Sequence, residues 1–306
     1  MKLGILTATI SECEFFPNII DLKIIGERKG HTVDLFKNGE FNLIIDSEKT
    51  TLYYNKKPFD PCDYDIILNR LSVREKSNAE YYIVNEFTKC GVPVINSPDS
   101  IMKARNKLLS LQIMSSLGVK ITRSAIIRRP EDIDNVLHQF SFPLVIKNIF
   151  GSLGSSTLLV YDIKQLISTI DWIWNVNRNE IFLIQDFIRS EDNTVSDFRV
   201  FILGGEIIGA MKRTNSDKDF RANFKRGASV AKAILTDEEK KQCLMISEKF
   251  GLEIAGVDFI RTCEGPVFLE INSNPGLDGI RQATRSAHFD ILEKIIDRLD
   301  EKKRSK

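Results

Sequence analysis

Asp258, Glu270 and Asn272 are the side chains in this sequence best suited to chemistry. Val257-Asp258-Phe259-Ile260 and Val267-Phe268-Leu269-Glu270-Ile271-Asn272 are strand-forming, and Cys263-Glu264-Gly265-Pro266 carries turn residues, so the spacing predicts a hairpin. Side chains alternate along a strand, so Glu270 and Asn272 share one face while Leu269 and Ile271 pack on the other, and Asp258 can point toward the polar side. Two carboxylates and a carboxamide on one buried face repel one another and are costly to desolvate unless a cation sits among them. A small all-oxygen donor set suits Mg²⁺ that keeps waters and borrows phosphate oxygens.

Phosphate chemistry is suggested further upstream. Lys147 closes the apolar strand Leu144-Val145-Ile146 and precedes Gly151-Ser152-Leu153-Gly154-Ser155-Ser156, a loop whose free backbone N–H groups could fold over phosphate oxygens. No Gly-Lys-Ser/Thr follows, so this is not a Walker A loop. Ile181 to Ile188 reads as a strand that leaves a core and turns outward, and the backbone of such a connector could bond a purine edge. Asp197 and Arg199 share a face of the next strand, Gly204-Gly205 turns the chain, and Lys212-Arg213 ends the return strand. A polar loop, Asp219 to Gly227, adds Arg221, Asn223, Lys225 and Arg226. The sequence offers no Ser-His-Asp or Cys-His arrangement for a nucleophilic mechanism.

These residues need a scaffold, and the pattern supplies one. Residues 1–96 alternate short apolar strands (from Leu3, His31, Asp65 and Val92) with helices opening near Phe16 and Ala79, plus a small hairpin at Phe41–Ile45 and Thr51–Tyr54. This order implies a parallel, doubly wound sheet with ligands at strand C-termini, where Arg70 and Asn96 fall. One helix is expected from Ser100 through Leu117, carrying Lys107. Strands at Thr122–Arg128 and Leu144–Lys147 and helices near Pro130–Phe140 and Ile163–Ile173 follow. Thr236 is the expected N-cap of a helix to Gly251, and a last helix spans about Phe289–Leu299.

Composition excludes several classes. Lys+Arg 43 against Asp+Glu 42 leaves a net charge of +1, so nothing in bulk charge favours nucleic acid or an anionic membrane. The N-terminal apolar run is too short for a signal peptide, and no stretch approaches the roughly 18 apolar residues of a spanning helix. Five scattered cysteines without a C-x-x-C pair imply reduced thiols packed as small apolar groups, and hence a cytoplasmic protein. Homo-oligomerisation is compatible with the sequence.

The order of lysine helix, lysine with glycine loop, outward-turning strand, arginine hairpin, basic loop and Asp/Glu/Asn hairpin resembles the ATP-grasp superfamily, and within it the RimK-like amino-acid ligases. The resemblance is strongest in Ala104-Arg105-Asn106-Lys107-Leu108, in Asp219 to Gly227, and from Ala255 through Asn272-Ser273-Asn274-Pro275-Gly276 to Ile280. It implies an α/β and α+β protein: a Rossmann-like pre-ATP-grasp domain over residues 1–96, then two α+β lobes, 97–187 and 188–306, that clamp ATP. It implies nucleotide binding by Lys107, Lys147, the Gly151, Ser152, Gly154, Ser155 and Ser156 loop, the adenine connector Gln185, Asp186, Phe187 and Ile188, and Asp197, Arg221 and Asn223. Two Mg²⁺ ions, or Mn²⁺ as the alternative, are implied at Asp258, Glu270 and Asn272, with Arg199 and Arg213 holding the transferring phosphoryl group. Ser156 and Ala228 stand where the family commonly has glycine. The implied activity is ADP-forming ligation of an L-amino acid, glutamate first, to a carboxylate acceptor. A D-alanine–D-alanine-type or other ATP-grasp peptide ligase, or a non-catalytic nucleotide-binding regulator, is the alternative.

Overall fold

The computed structural model describes residues 1–7, 17–71, 79–129, 131–150, 157–215, 229–285 and 290–304. The N-terminal part builds β1 (Lys2–Thr7), α1 (Pro17–Arg28), β2 (Thr32–Lys37), β3 (Phe41–Ile45), β4 (Thr50–Tyr54), β5 (Lys57–Phe59), β6 (Ile66–Arg70), α2 (Ala79–Lys89) and β7 (Val94–Ile95). β2, β1, β6 and β7 pair in that order as a parallel sheet, as the alternation of strands and helices predicts. The small hairpin gains a third strand, β5, which the sequence pattern does not announce.

The middle of the chain forms α3 (Pro98–Arg105), α4 (Lys107–Ser116), β8 (Ser124–Ile127), α5 (Asp132–Leu137), β9 (Leu144–Asn148), β10 (Thr157–Val160), α6 (Ile163–Val176) and β11 (Phe182–Asp186). The single helix expected over Ser100–Leu117 is two. Asn106 leaves helical geometry (φ −79°, ψ 102°), its side chain accepts the Leu109 N–H at 3.0 Å, and it becomes the N-cap of α4. The break places Lys107 at the first position of α4, where its N–H bonds the Ile149 carbonyl at 3.0 Å. β10, β9, β11 and β8 form an antiparallel sheet whose apolar face packs on α5 and α6 through Ile146, Leu166, Ile170 and Phe182.

The C-terminal part comprises β12 (Ser196–Leu203), β13 (Glu206–Thr214), β14 (Ser229–Lys232), α7 (Asp237–Phe250), β15 (Ile254–Thr262), β16 (Gly265–Asn272), α8 (Asp278–Thr284) and α9 (Asp290–Arg304). Its antiparallel sheet runs β14-β13-β12-β15-β16. Thr236 and Glu239 complete a capping box on α7, and Gly251 ends that helix at φ 68°. One face, through Phe198, Val200, Val257, Phe259 and Phe268, packs on α3, α4 and α7. Phe201, Leu203 and Ile254 join a core with α8, α9 and the N-terminal sheet. Among the described residues, no helix is long and apolar enough to cross a membrane.

Two expectations are corrected here. Cys62 and Cys90 are not packed thiols: both are exposed and joined as a disulfide, because the loop before β6 returns to the end of α2, bringing their Cα atoms within 5.4 Å. Cys243 is buried as expected, whereas Cys263 is exposed and Cys13 lies outside the described residues. Asn96, expected at a cleft, is 2% exposed. Its amide donates to the Ile254 and Ser273 carbonyls at 2.7 and 2.8 Å and accepts from the Glu253 and Ile254 N–H groups at 2.9 and 3.1 Å. It fastens the N-terminal sheet to β15 and to the chain leaving β16. Asn96→Ala therefore strands buried backbone groups and is expected to lower stability by about 2–4 kcal/mol in urea unfolding.

Candidate active site

Four neighbouring strands carry one row of charged side chains. Arg213 on β13 faces Asp197 on β12, Arg199 on β12 faces Asp258 on β15, and Asp258 faces Glu270 on β16. Two irregularities create this register. In the β12–β13 pair the register shifts between Phe201 and Ile202, and without that shift Asp197 would face Lys212. In the β15–β16 pair it shifts between Asp258 and Phe259, and without it Asp258 would face Leu269. An extra residue in one strand moves everything beyond it to the other face, so each bulge turns an acid or base into the row.

The row is tightly paired. Arg213 donates to both Asp197 oxygens at 2.6 Å and to Asp258 Oδ2 at 3.0 Å. Arg199 grips Asp258 through Oδ1 at 2.7 Å and Oδ2 at 2.5 Å, and its Nη2 lies 4.0 Å from Glu270. Asp258, Arg213 and Asp197 are 2%, 5% and 8% exposed, so each pair sits where an unpartnered charge would be expensive. Burial pushes the Asp197 carboxyl up to about 6, against the pull of Arg213. Burial also opposes ionisation of Asp258, but Arg199 and Arg213 together hold its carboxyl below the usual range. The Arg213 guanidinium loses solvation yet is held above its ordinary value by Asp197 and Asp258.

Glu270 is the open end of the row. Its side chain is 39% exposed, and its Oε1 accepts from Asn272 Nδ2 at 3.2 Å. Asn272 Nδ2 also lies 3.4 Å from Asp258 Oδ2, so the predicted trio does converge on one face. The donor set fits a hard divalent cation at Glu270, with the Asn272 amide turned over to offer its oxygen. Asp258 contributes an oxygen to such an ion only where Arg199 loosens its grip.

Burial lowers the Lys147 ammonium on β9; Glu270 and Asp197 oppose that shift, and Lys107 adds to it. Lys147 thus lies within electrostatic range of Lys107 and of the acidic row. On the connector, the Gln185 side chain is committed to Ser124 Oγ at 2.8 Å. The Asp186 carboxyl, raised by burial, lies 3.6 Å from Arg123. Phe187 and Ile188 follow β11 partly exposed, with the Arg189 guanidinium 5.9 Å from the Phe187 ring centroid. Gly151, Ser152, Gly154, Ser155, Ser156, Arg221 and Asn223 lie outside the described residues.

Two features of the site went unread in the sequence. The first is the reach of Arg213 to two aspartates, which depends on a bulge that no residue pattern marks. The second is Gly256, whose lack of a side chain lets Pro275 lie on β15 beside Arg199: a Cβ there would meet Pro275 Cβ at 2.9 Å. An interior strand glycine opposite Asn272 is the available signal for that close approach.

The architecture is that of an ATP-grasp enzyme. A D-alanine–D-alanine ligase from Bacillus anthracis complexed with ATP superposes with a TM-score of 0.71 at 16% identity, covering 100% of this chain and 98% of that one. The ATP-grasp ligase PsnB complexed with a minimal precursor gives 0.71 at 16% identity, covering 97% and 98%. The RimK PreATP-grasp domain family matches residues 1–101 and the RimK-like ATP-grasp domain family matches residues 104–299. A probable alpha-L-glutamate ligase of Aliivibrio fischeri (strain MJ11) is 30% identical over 310 residues, spanning 100% of this chain and 98% of its own. The chain belongs to the RimK-like ATP-grasp family and is an ATP-dependent ligase.

Arg213→Met leaves Asp197 buried without its bidentate partner. Urea unfolding is expected to show a loss of about 3–5 kcal/mol, most of it recovered when Asp197→Asn is added.

Proposed function

We propose that the protein joins an L-amino acid, glutamate first, to the carboxyl end of a peptide, protein or small acid through an acyl phosphate, releasing ADP. The observation that carries this reading is the row from Arg213 to Glu270, with Lys147 within electrostatic range of its open end and of Lys107. The relatives named probable alpha-L-glutamate ligases support glutamate as the added group.

Lys107 and Lys147 would bind nucleotide phosphates, with the Gly151–Ser156 loop as cover and Gln185 to Ile188 along the adenine. Asp197, Arg221 and Asn223 complete the nucleotide contacts in this reading. Glu270, Asn272 and Asp258 would hold two Mg²⁺ ions, or Mn²⁺, which when bound supply neutralisation of the phosphate charge. Arg199, 4.0 Å from Glu270, and Arg213 are the cations of the row, and Arg199 can pass from Asp258 to an incoming anion without leaving the row. The acceptor's carboxylate oxygen attacks the γ-phosphorus and the bond to ADP breaks. The amine then forms the C–N bond, inorganic phosphate leaves with the C–O bond electrons, and the amine proton passes to solvent. A guanidinium of the row stabilises the tetrahedral oxyanion between these events.

Clamping between residues 97–187 and 188–306, beside an N-terminal domain of residues 1–96, keeps water from the acyl phosphate. A cytoplasmic setting, where ATP and amino acids are abundant, fits this chemistry.

Incubation with Mg-ATP, each amino acid and a cell extract should give ADP release dependent on both an acid and an amine, and a mass gain of one or more amino-acid residues on the product. ADP release indifferent to the amine contradicts ligation. Glu270→Gln should leave the thermal midpoint unchanged while reducing ADP release at least about 100-fold.

A further inference from the structure

Arg70 ends β6, at the C-terminal edge of the parallel sheet, and lies against the chain leaving β16. Among the described residues its guanidinium Nε and Nη1 are buried without a hydrogen-bond partner, and Nη2 reaches the Pro275 carbonyl at a long 3.4 Å. Burial lowers it to about 10, and no carboxylate among the described residues offsets that loss of solvation. A guanidinium so placed is an anion site in waiting, because a carboxylate can take one idle donor together with Nη2 in the bidentate geometry the group favours.

Its neighbour supplies the complementary need. Asn274 Nδ2 donates to the Arg70 carbonyl at 2.8 Å, which fixes the amide orientation, and Asn274 Oδ1 is buried with no donor among the described residues. Two residues in contact therefore leave unmet donors on one and an unmet acceptor on the other. An α-amino acid offers both complements, a carboxylate for the donors and an N–H for the acceptor. A peptide C-terminus offers only the first. Asn274 stands two residues beyond Asn272, so a ligand held here lies on the chain that leaves the acidic row.

We propose that Arg70 and Asn274 form the binding site for the incoming amino acid, Arg70 holding its α-carboxylate and Asn274 Oδ1 its amine. This rests on the ligase reading above, and deepens it by assigning the attacking substrate to the junction between the N-terminal sheet and the loop after β16. The carboxylate displaces the weak Pro275 contact and gains charge-assisted bonds in exchange.

The test compares the amino acid that supports ADP release, L-glutamate first, with its decarboxylated amine, 4-aminobutyrate for glutamate. In the unmodified protein kcat/KM should fall at least about 30-fold for the decarboxylated amine, because the site is left with unmet donors. Arg70→Ala should raise KM for the amino acid at least about 10-fold, leave KM for ATP within about twofold, and erase most of that preference; Arg70→Lys should fall between. Equal use of the two amines by the unmodified protein overturns the proposal and leaves the ligase reading intact, and this arm needs no variant to fold. A KM effect confined to the acceptor also overturns it. Failure of every amino acid to support ADP release overturns the ligase reading itself.

Discussion

Two guanidiniums on neighbouring strands hold two buried aspartates charged, and the remainder of the site is arranged around that alternation. Asp258 is nearly sealed from water and would be too costly to ionise alone, yet Arg199 and Arg213 bring its carboxyl below the ordinary range. Asp197 is gripped by Arg213, with Arg199 a weaker influence, and burial leaves it raised. The acids are therefore not interchangeable: Asp258 is hydrogen-bonded by two guanidiniums, Asp197 by Arg213, and Glu270 is open to solvent. The last is where a cation and a nucleotide's phosphates can enter without first breaking a buried pair.

The same alternation explains why the C-terminal sheet needs bulges. A regular hairpin from the Gly204-Gly205 turn would bring Lys212, not Arg213, opposite Asp197, and a regular one from Gly265 would bring Leu269 opposite Asp258. Either change would place an apolar or mismatched side chain in the row and send a charge into the packed face. That face is built of Phe198, Val200, Val257, Phe259 and Phe268, and stripping one charge of its water there would cost more than the dispersion energy its packing returned.

Much of this was legible in the residues. Period-two alternation gave the hairpin and the shared face of Glu270 and Asn272, and the strand-helix alternation gave the parallel N-terminal sheet. What was not legible has physical causes. Asn106 sits within an apolar-periodic stretch that reads as one helix, and only its side chain's capture of the Leu109 N–H breaks it. Asn96 reads as a strand-end residue open to ligand, but its amide is consumed by β15 and the loop after β16, which are remote in sequence. The Cys62–Cys90 bridge pairs positions without a short-range signature. Arg70 belongs to the same group: its place at a strand end was foreseeable, its unmet guanidinium was not.

If the row serves carboxylate activation, an oxygen of the acceptor must end up on phosphate. Turnover with an acceptor whose carboxylate is labelled with ¹⁸O tests this most directly, by mass analysis of the inorganic phosphate released. The account predicts that one labelled oxygen is transferred to each phosphate formed. Phosphate carrying none of the label, alongside normal amide formation, would contradict it.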